Sequence, residues 1–265
     1  MSKAIYQHYR PQEYAFIDQV LGWCLQVQDR YTPFVTAFLT PREQTITQQL
    51  VSRYDDLSVG FFGGHKTAER QKAIIYPEYF EPKESDYHLA LVEIEYPRKF
   101  NTLSHPQVLG TLMSLGIERE RLGDIITNGA DWQFFIDETL VDYVKQQIDK
   151  IGQMGVKLNQ LSSSKVLTPN IYWIEETAIV TSLRIDALIS SVYNFSRQQA
   201  KTLIERGDVK LNFMTIERIN EEVALNDMIS VRRQGRFKVQ SLEGVTRKDN
   251  LRVSILKLCK GIIHM

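Results

Sequence analysis

The run Ser196-Arg-Gln-Gln-Ala-Lys201 has the residue types and spacing that point most directly to chemistry. Ser196 is placed to cap a helix, with Gln199 in the reciprocal position of a capping box. Arg197 and Lys201 lie four apart on one side of that helix, and Ala200, Leu203 and Ile204 form its buried side. A helix start offers unpaired backbone N–H groups and the positive end of the helix dipole, so the chemistry is anion binding, above all of phosphate. Mobile cations at the same end make such binding salt-dependent and give it no base readout. Upstream, Asp186 reads as an orienting or structural acid rather than a catalyst.

Covalent and metal chemistry find no comparable constellation. The five histidines, His8, His65, His88, His105 and His264, have no metal-ligand spacing. Cys24 and Cys259 are far apart and lack a second ligand pair, which argues against a disulfide framework and a zinc site alike. The phosphate-loop, dinucleotide-binding, G-x-S-x-G and H-E-x-x-H patterns are missing. Phe61-Phe-Gly-Gly-His65 therefore reads as a tight turn after a strand. No catalytic residue, metal or cofactor is expected.

The formal net charge is zero over 265 residues, but the two signs are unevenly placed. Residues 182–265 carry 15 basic and 9 acidic side chains, and residues 1–181 carry 17 and 23. A basic module on an acidic body suits a protein that sets one face on a polyanion. Charge alone does not separate that from a solvated basic surface. No stretch reaches the roughly 20 apolar residues of a membrane span, and Met1 to Arg10 lacks the pattern of a signal peptide. A cytoplasmic protein with no membrane partner is expected.

The elements that must position these residues read as an α+β chain. Residues 1–72 form a mainly helical region, with a capping box at Thr40-Pro-Arg-Glu43. Residues 73–168 run β-α-β-β-α-β. A strand covers Leu89 to Tyr96, a helix follows Ser104-His-Pro-Gln107, and Asn128-Gly129 joins strands at Asp124–Thr127 and Trp132–Ile136. Val141, Val144, Ile148 and Ile151 share one face of the next helix, and Val156 to Leu161 closes the set. That order is a ferredoxin-like split βαβ sheet, an architecture shared with RNA-recognition modules. The stacking aromatics of those modules are absent, and Trp132, Phe134 and Phe135 read as core. Ser162 to Thr168 looks like a linker. Leu183 to Val192 is an amphipathic helix. The second helix starts at Ser196 and ends at Gly207, and strands at Val209–Asn212 and Met228–Arg233 follow. Leu251 to Met265 is an apolar-basic tail, read as a closing strand and a frayed end.

Four blocks in residues 182–244 resemble the S4 RNA-binding domain. They are Leu183-Arg-Ile-Asp-Ala-Leu, Ser196-Arg-Gln-Gln-Ala, Ile204-Glu-Arg-Gly-Asp-Val-Lys-Leu-Asn212 and Asp227-Met-Ile-Ser-Val231. The resemblance implies that Arg184, Ser196, Arg197, Lys201, Lys210 and Asn212 line an RNA-facing groove between the second helix and the sheet. Arg232, Arg233 and Arg236 would extend it. The bland alternative pairs Arg184 with Asp186 or Glu205 and leaves the other charges solvated. After Val231 the family tends to a Gly-aromatic-Gly-Arg turn, whereas this chain has Arg232-Arg-Gln-Gly-Arg236.

The order Phe61-Phe-Gly-Gly, Tyr76-Pro-Glu-Tyr-Phe80, His105-Pro-Gln-Val-Leu-Gly-Thr-Leu-Met-Ser-Leu-Gly116, Gly123-Asp-Ile125 and a terminal S4-like block resembles the bacterial YlmH-type proteins along nearly the whole length. Membership implies a protein that binds rRNA, and also tRNA, on the large ribosomal subunit. It further implies a role in rescue of stalled subunits and a link to cell division. A separate alternative is a protein scaffold linked to cell division, which meets a protein partner through the N-terminal two-thirds. S4 domains also occur on RNA-modifying enzymes, which is the rival expectation. Its traces are missing: the one Arg-Leu-Asp-like string, Arg184-Ile-Asp186, lies in the S4-like helix, and Gly63-Gly64 supplies no cofactor turn.

Overall fold

The computed structural model describes residues 6–9, 11–98, 102–168 and 172–259. It divides into two compact units, Met1–Pro169 and Asn170–Met265. Among the described residues no helix is long and apolar enough to cross a membrane.

The first unit opens with helix α1 (Tyr14–Arg30), strand β1 (Phe34–Leu39), helix α2 (Pro41–Val51) and strands β2 (Leu57–Phe62) and β3 (Gln71–Pro77). Thr40 caps α2 as its sequence requires. Its hydroxyl accepts from Glu43 N, the Glu43 carboxylate accepts from Thr40 N at 2.7 Å, and Pro41 sits in the first turn. The strands form an antiparallel sheet ordered β1-β3-β2, packed beneath α1 and α2 through Ile17, Val20, Cys24, Val27, Ile46 and Leu50. The mainly helical region expected over residues 1–72 is thus broken by strands, β1 first among them. Its residues Phe-Val-Thr-Ala-Phe-Leu are mostly β-branched or aromatic and fit a pleated sheet better than a helix. The boundary expected at residue 73 falls inside β3, the central strand of this sheet.

The rest of the unit comprises β4 (Leu89–Glu95), α3 (His105–Ser114), β5 (Leu122–Thr127), β6 (Trp132–Asp137), α4 (Val141–Gln147), a small hairpin β7 (Lys150–Ile151) and β8 (Met154–Gly155), and β9 (Lys157–Leu161). The sheet is antiparallel in the order β5-β6-β4-β9, so β6 is inserted between the two strands that α3 connects. Ile148 and Ile151 are buried as expected but lie past the end of α4, Ile151 in the small hairpin. One face of the sheet buries Val92, Ile94, Phe134 and Ile136 against Val108, Leu112, Val141 and Val144. The other face, with Leu91, Ile126 and Phe135, packs on Phe38 of β1. Gly64, at φ +92°, lies so close that a Cβ would stand 2.0 Å from the Phe135 ring. Gly64 of the Phe-Phe-Gly-Gly turn is therefore needed for contact as well as for backbone angle.

The two sheets are also joined by polar groups. Arg70 donates to the carbonyls of Leu122 and Phe38 at 3.1 and 3.0 Å, and Asp124 accepts from Glu69 N and Arg70 N. Lys72 Nζ stands 2.9 Å from Asp137 Oδ2. The segment 162–168 is held by Gln133, which donates to Lys165 O and accepts from Leu167 N, so it is anchored rather than a free linker.

The second unit is one antiparallel sheet with two helices on one face. Its elements are β10 (Tyr172–Val180), α5 (Ile185–Tyr193), α6 (Arg197–Glu205), β11 (Val209–Leu211), β12 (Met214–Thr215), β13 (Met228–Val231), β14 (Gly235–Val245) and β15 (Leu251–Cys259). The strand order is β10-β15-β14-β13-β11-β12. Ile185, Leu188, Ile189 and Val192 of α5 and Ala200 and Ile204 of α6 bury Val209, Ile229, Val231, Phe237, Val253 and Ile255. Gly207, at φ +71°, ends α6, with its N–H donated to Ile204 O. The closing strand is not peripheral: β15 pairs with both β10 and β14, so the sheet extends beyond residues 182–244 on both sides. The frayed end expected after it lies outside the described residues.

Candidate nucleic-acid interface

The first turns of α5 and α6 meet in a shallow groove of about 510 Å³ lined by Arg184, Asp186, Arg197, Gln198, Lys201, Ile219 and Asn220. Arg184 precedes α5, and the chain is fixed there by Ile185 N donating to Glu221 O and Val223 N donating to Leu183 O. Those two bonds also hold the segment carrying Ile219 and Asn220 as the far wall.

Asp186 organises the groove. Its side chain is 9% exposed and meets both Arg184, at 3.2 Å, and Arg197, at 3.0 Å. Arg184 approaches in fork geometry, Nε and Nη2 each 3.2 Å from one carboxylate oxygen, and Arg197 Nη2 donates onward to Thr181 Oγ1 at 3.0 Å. Two guanidiniums on one buried carboxylate leave a net positive charge, and the carboxylate restricts cations that would otherwise wander in solvent. Lys201 adds a third cation, 3.9 Å from Glu205 one turn along α6. Ser196 caps α6: its hydroxyl accepts from Gln199 N, and its own N–H donates to the Gln199 side chain. The dipole end of α6 faces the same cations.

Of the residues expected in one RNA-facing groove, Arg184, Ser196, Arg197 and Lys201 gather at these helix starts. Arg184 does pair with Asp186, as the bland reading had it, but so does Arg197, and the pairing builds the groove. The others lie elsewhere in the unit. Lys210 alternates with Val209 and Leu211, which are buried under the helices, so it points to the opposite face of the sheet. Arg236 shares that face through the register Lys210↔Ser230↔Arg236. Asn212 is spent on structure: its amide donates to Asp227 at 2.8 Å and its carbonyl accepts from Met228 N at 2.9 Å. Arg232 pairs with Asp208 at 3.2 Å. Arg233 takes φ +65° in the turn before β14, the position where the S4 pattern is broken. Sequence reasoning missed Gln198, Ile219 and Asn220. No local signal marks the last two, because the backbone bonds to Glu221 and Val223 bring them there.

In the middle sheet of the first unit the aromatic side chains of β6 pack inside the unit. Trp132, Phe134 and Phe135 are all buried, and His65 stacks on Phe135 at 5.6 Å between ring centroids. His65 Nε2 lies 3.4 Å from Asp124 Oδ2.

Comparison with known proteins converges on one family. Residues 12–80 match the family model of the YlmH N-terminal domain, and residues 82–165 match that of the YlmH RNA-binding domain. The ribosome-associated protein quality control protein P2 of Bacillus subtilis is 38% identical over 250 residues, covering 94% of this chain and 97% of that protein. The solved structure of the cell division protein ylmH from Streptococcus pneumoniae aligns with a TM-score of 0.54 at 32% identity, over 62% of this chain and 99% of that one. With these matches along almost its entire length, the chain belongs to the YlmH family of RNA-binding proteins.

Proposed function

We propose that the chain is a ribosome-associated quality-control factor that grips structured RNA through an S4-type second unit and catalyses no reaction. The observation that carries this reading is the pair Arg184 and Arg197, oriented by the buried Asp186 at the open start of α6. Two fixed guanidiniums beside a helix N-terminus suit two neighbouring phosphates of an RNA helix and read its shape rather than its sequence. The name of the B. subtilis relative supports placing that RNA on the ribosome. The finer assignment is rRNA of the large subunit together with the tRNA of a stalled peptidyl-tRNA complex. In this reading the protein works in the cytoplasm. The first unit, whose residues 82–165 match the RNA-binding-domain model, positions the protein on the particle through a further RNA contact or meets a protein partner.

The test is co-sedimentation of the purified protein with small subunits, large subunits and whole ribosomes at two salt concentrations. Wild type should bind large subunits, and a salt rise from 50 to 200 mM should weaken binding at least about tenfold if two or more phosphates are neutralised. Arg184→Ala/Arg197→Ala should lose that binding with its circular dichroism unchanged. Binding to no particle, or binding indifferent to both arginines, would overturn the reading.

A further inference from the structure

The face of the second unit's sheet opposite α5 and α6 carries a second set of cations and one oddly placed aromatic. Lys210, Ser230 and Arg236 stand in one cross-strand row on β11, β13 and β14, and Met228 and Lys238 form the next row. The tight hairpin from β11 to β12 pairs Leu211 with Met214, so Asn212 and Phe213 are its two turn residues. Both have positive φ, +47° and +67°. A two-residue turn of this kind favours Asn followed by Gly. Asn212 fits, and its carboxamide is fixed by Asp227 and Met228. Phe213 does not fit: an aromatic residue there is strained, and a strained residue that persists at an exposed turn calls for a use. In this conformation the half-buried Phe213 ring lies against Arg236, whose guanidinium carbon is 5.5 Å from the ring centroid. Between Lys210 and Arg236, the Ser230 hydroxyl is covered and has no hydrogen-bond partner among the described residues.

We propose that this outer sheet face is a separate binding site for unpaired RNA. Phe213 and Arg236 give a π-surface on which a base stacks, and Lys210 and Lys238 neutralise the phosphates on either side. An aromatic residue beside cations on a sheet is what sequence-tolerant single-strand binding needs, because every base has a π-face and every linkage a charge. The helix-end groove has guanidiniums and a helix dipole but no aromatic, which suits paired RNA. The two sites lie on opposite faces of one small unit, so a paired and an unpaired RNA segment can be held together. This inference takes its class of ligand from the RNA-binding reading above, and its test separates the two.

The experiment titrates the full chain against a fluorescent oligouridine of about 12 nucleotides and, separately, a blunt RNA duplex. Phe213→Gly places the favoured residue in the turn, so it should keep or raise stability. It should nevertheless weaken oligouridine binding about tenfold, the loss expected of one base-aromatic stack, and leave duplex binding unchanged. Phe213→Trp should restore oligouridine binding. Lys210→Gln/Lys238→Gln should lower the slope of log affinity against log salt for oligouridine by roughly 1.4, about 0.7 for each phosphate that is no longer neutralised. Arg184→Ala/Arg197→Ala should lose the duplex and keep the oligouridine. Undiminished oligouridine binding by Phe213→Gly would overturn the proposal, as would loss of oligouridine in the Arg184→Ala/Arg197→Ala variant alone. Failure of the double arginine variant to affect the duplex would count against the helix-end groove and leave the sheet-face site standing.

Discussion

At the scale of single residues, Asp186 matters because it turns two solvent-facing arginines into a fixed pair. A carboxylate this buried needs its partners, yet Arg184 and Arg197 are each nearly half exposed, so water offsets part of what they supply. Asp186→Asn should therefore cost only about 1 kcal/mol in a urea titration. No loss would mean that the carboxylate does not order them. The arginines themselves were legible in the sequence, because they sit in blocks that resemble an RNA-binding domain. Phe213 was not. An aromatic after an asparagine is unremarkable until the register of β11 and β12 makes the pair a two-residue turn.

Among elements, the decisive contacts in the first unit join its two sheets. Burial by itself would push the Asp137 carboxyl up, but hydrogen bonds from Thr139 and Lys72 outweigh it and hold the group below its ordinary value. Burial in turn lowers the Lys72 amine against the pull of Asp137. A carboxyl depressed in the folded state binds fewer protons than when unfolded. Its stabilisation is thus complete above the ordinary value of 3.8 and lost as pH falls through the lower folded value. In urea titrations across the acid range, the wild type should lose stability over that window and Asp137→Asn should lose less. Equal slopes would show that the Asp137 carboxylate, with its Thr139 and Lys72 partners, does not stabilise the joint. Helix ends at Thr40, Ser104 and Ser196 were readable from capping residues three apart, since a cap forms between near neighbours in the chain. Strand β1 was not legible from periodicity, which is the same for a short apolar run in either conformation; only its β-branched and aromatic residues favour the strand.

For the whole molecule, two units with their own cores should denature in two steps. Gly64→Ala, which drives a methyl group into Phe135 at a positive φ, should lower the first unit's stability by about 3 kcal/mol. Ile189→Ala, at a fully buried site, should lower the second unit's by a similar amount, about 3 kcal/mol. Each should shift one step and leave the other in place when tryptophan fluorescence and far-ultraviolet circular dichroism are followed together. A single transition moved by both would show that the units unfold as one. By itself, the sequence determined the family, the α+β class, the helix caps and the concentration of positive charge in the last third, because these depend on composition and on residues a few positions apart. Only the tertiary structure decided that Arg184 and Arg197 share one buried carboxylate, that Lys210 and Arg236 lie on the other face of the sheet, and that the middle sheet is closed by its own N-terminal neighbour. Those facts depend on strand register and on which face a helix covers, and both are set by contacts between residues far apart in the chain.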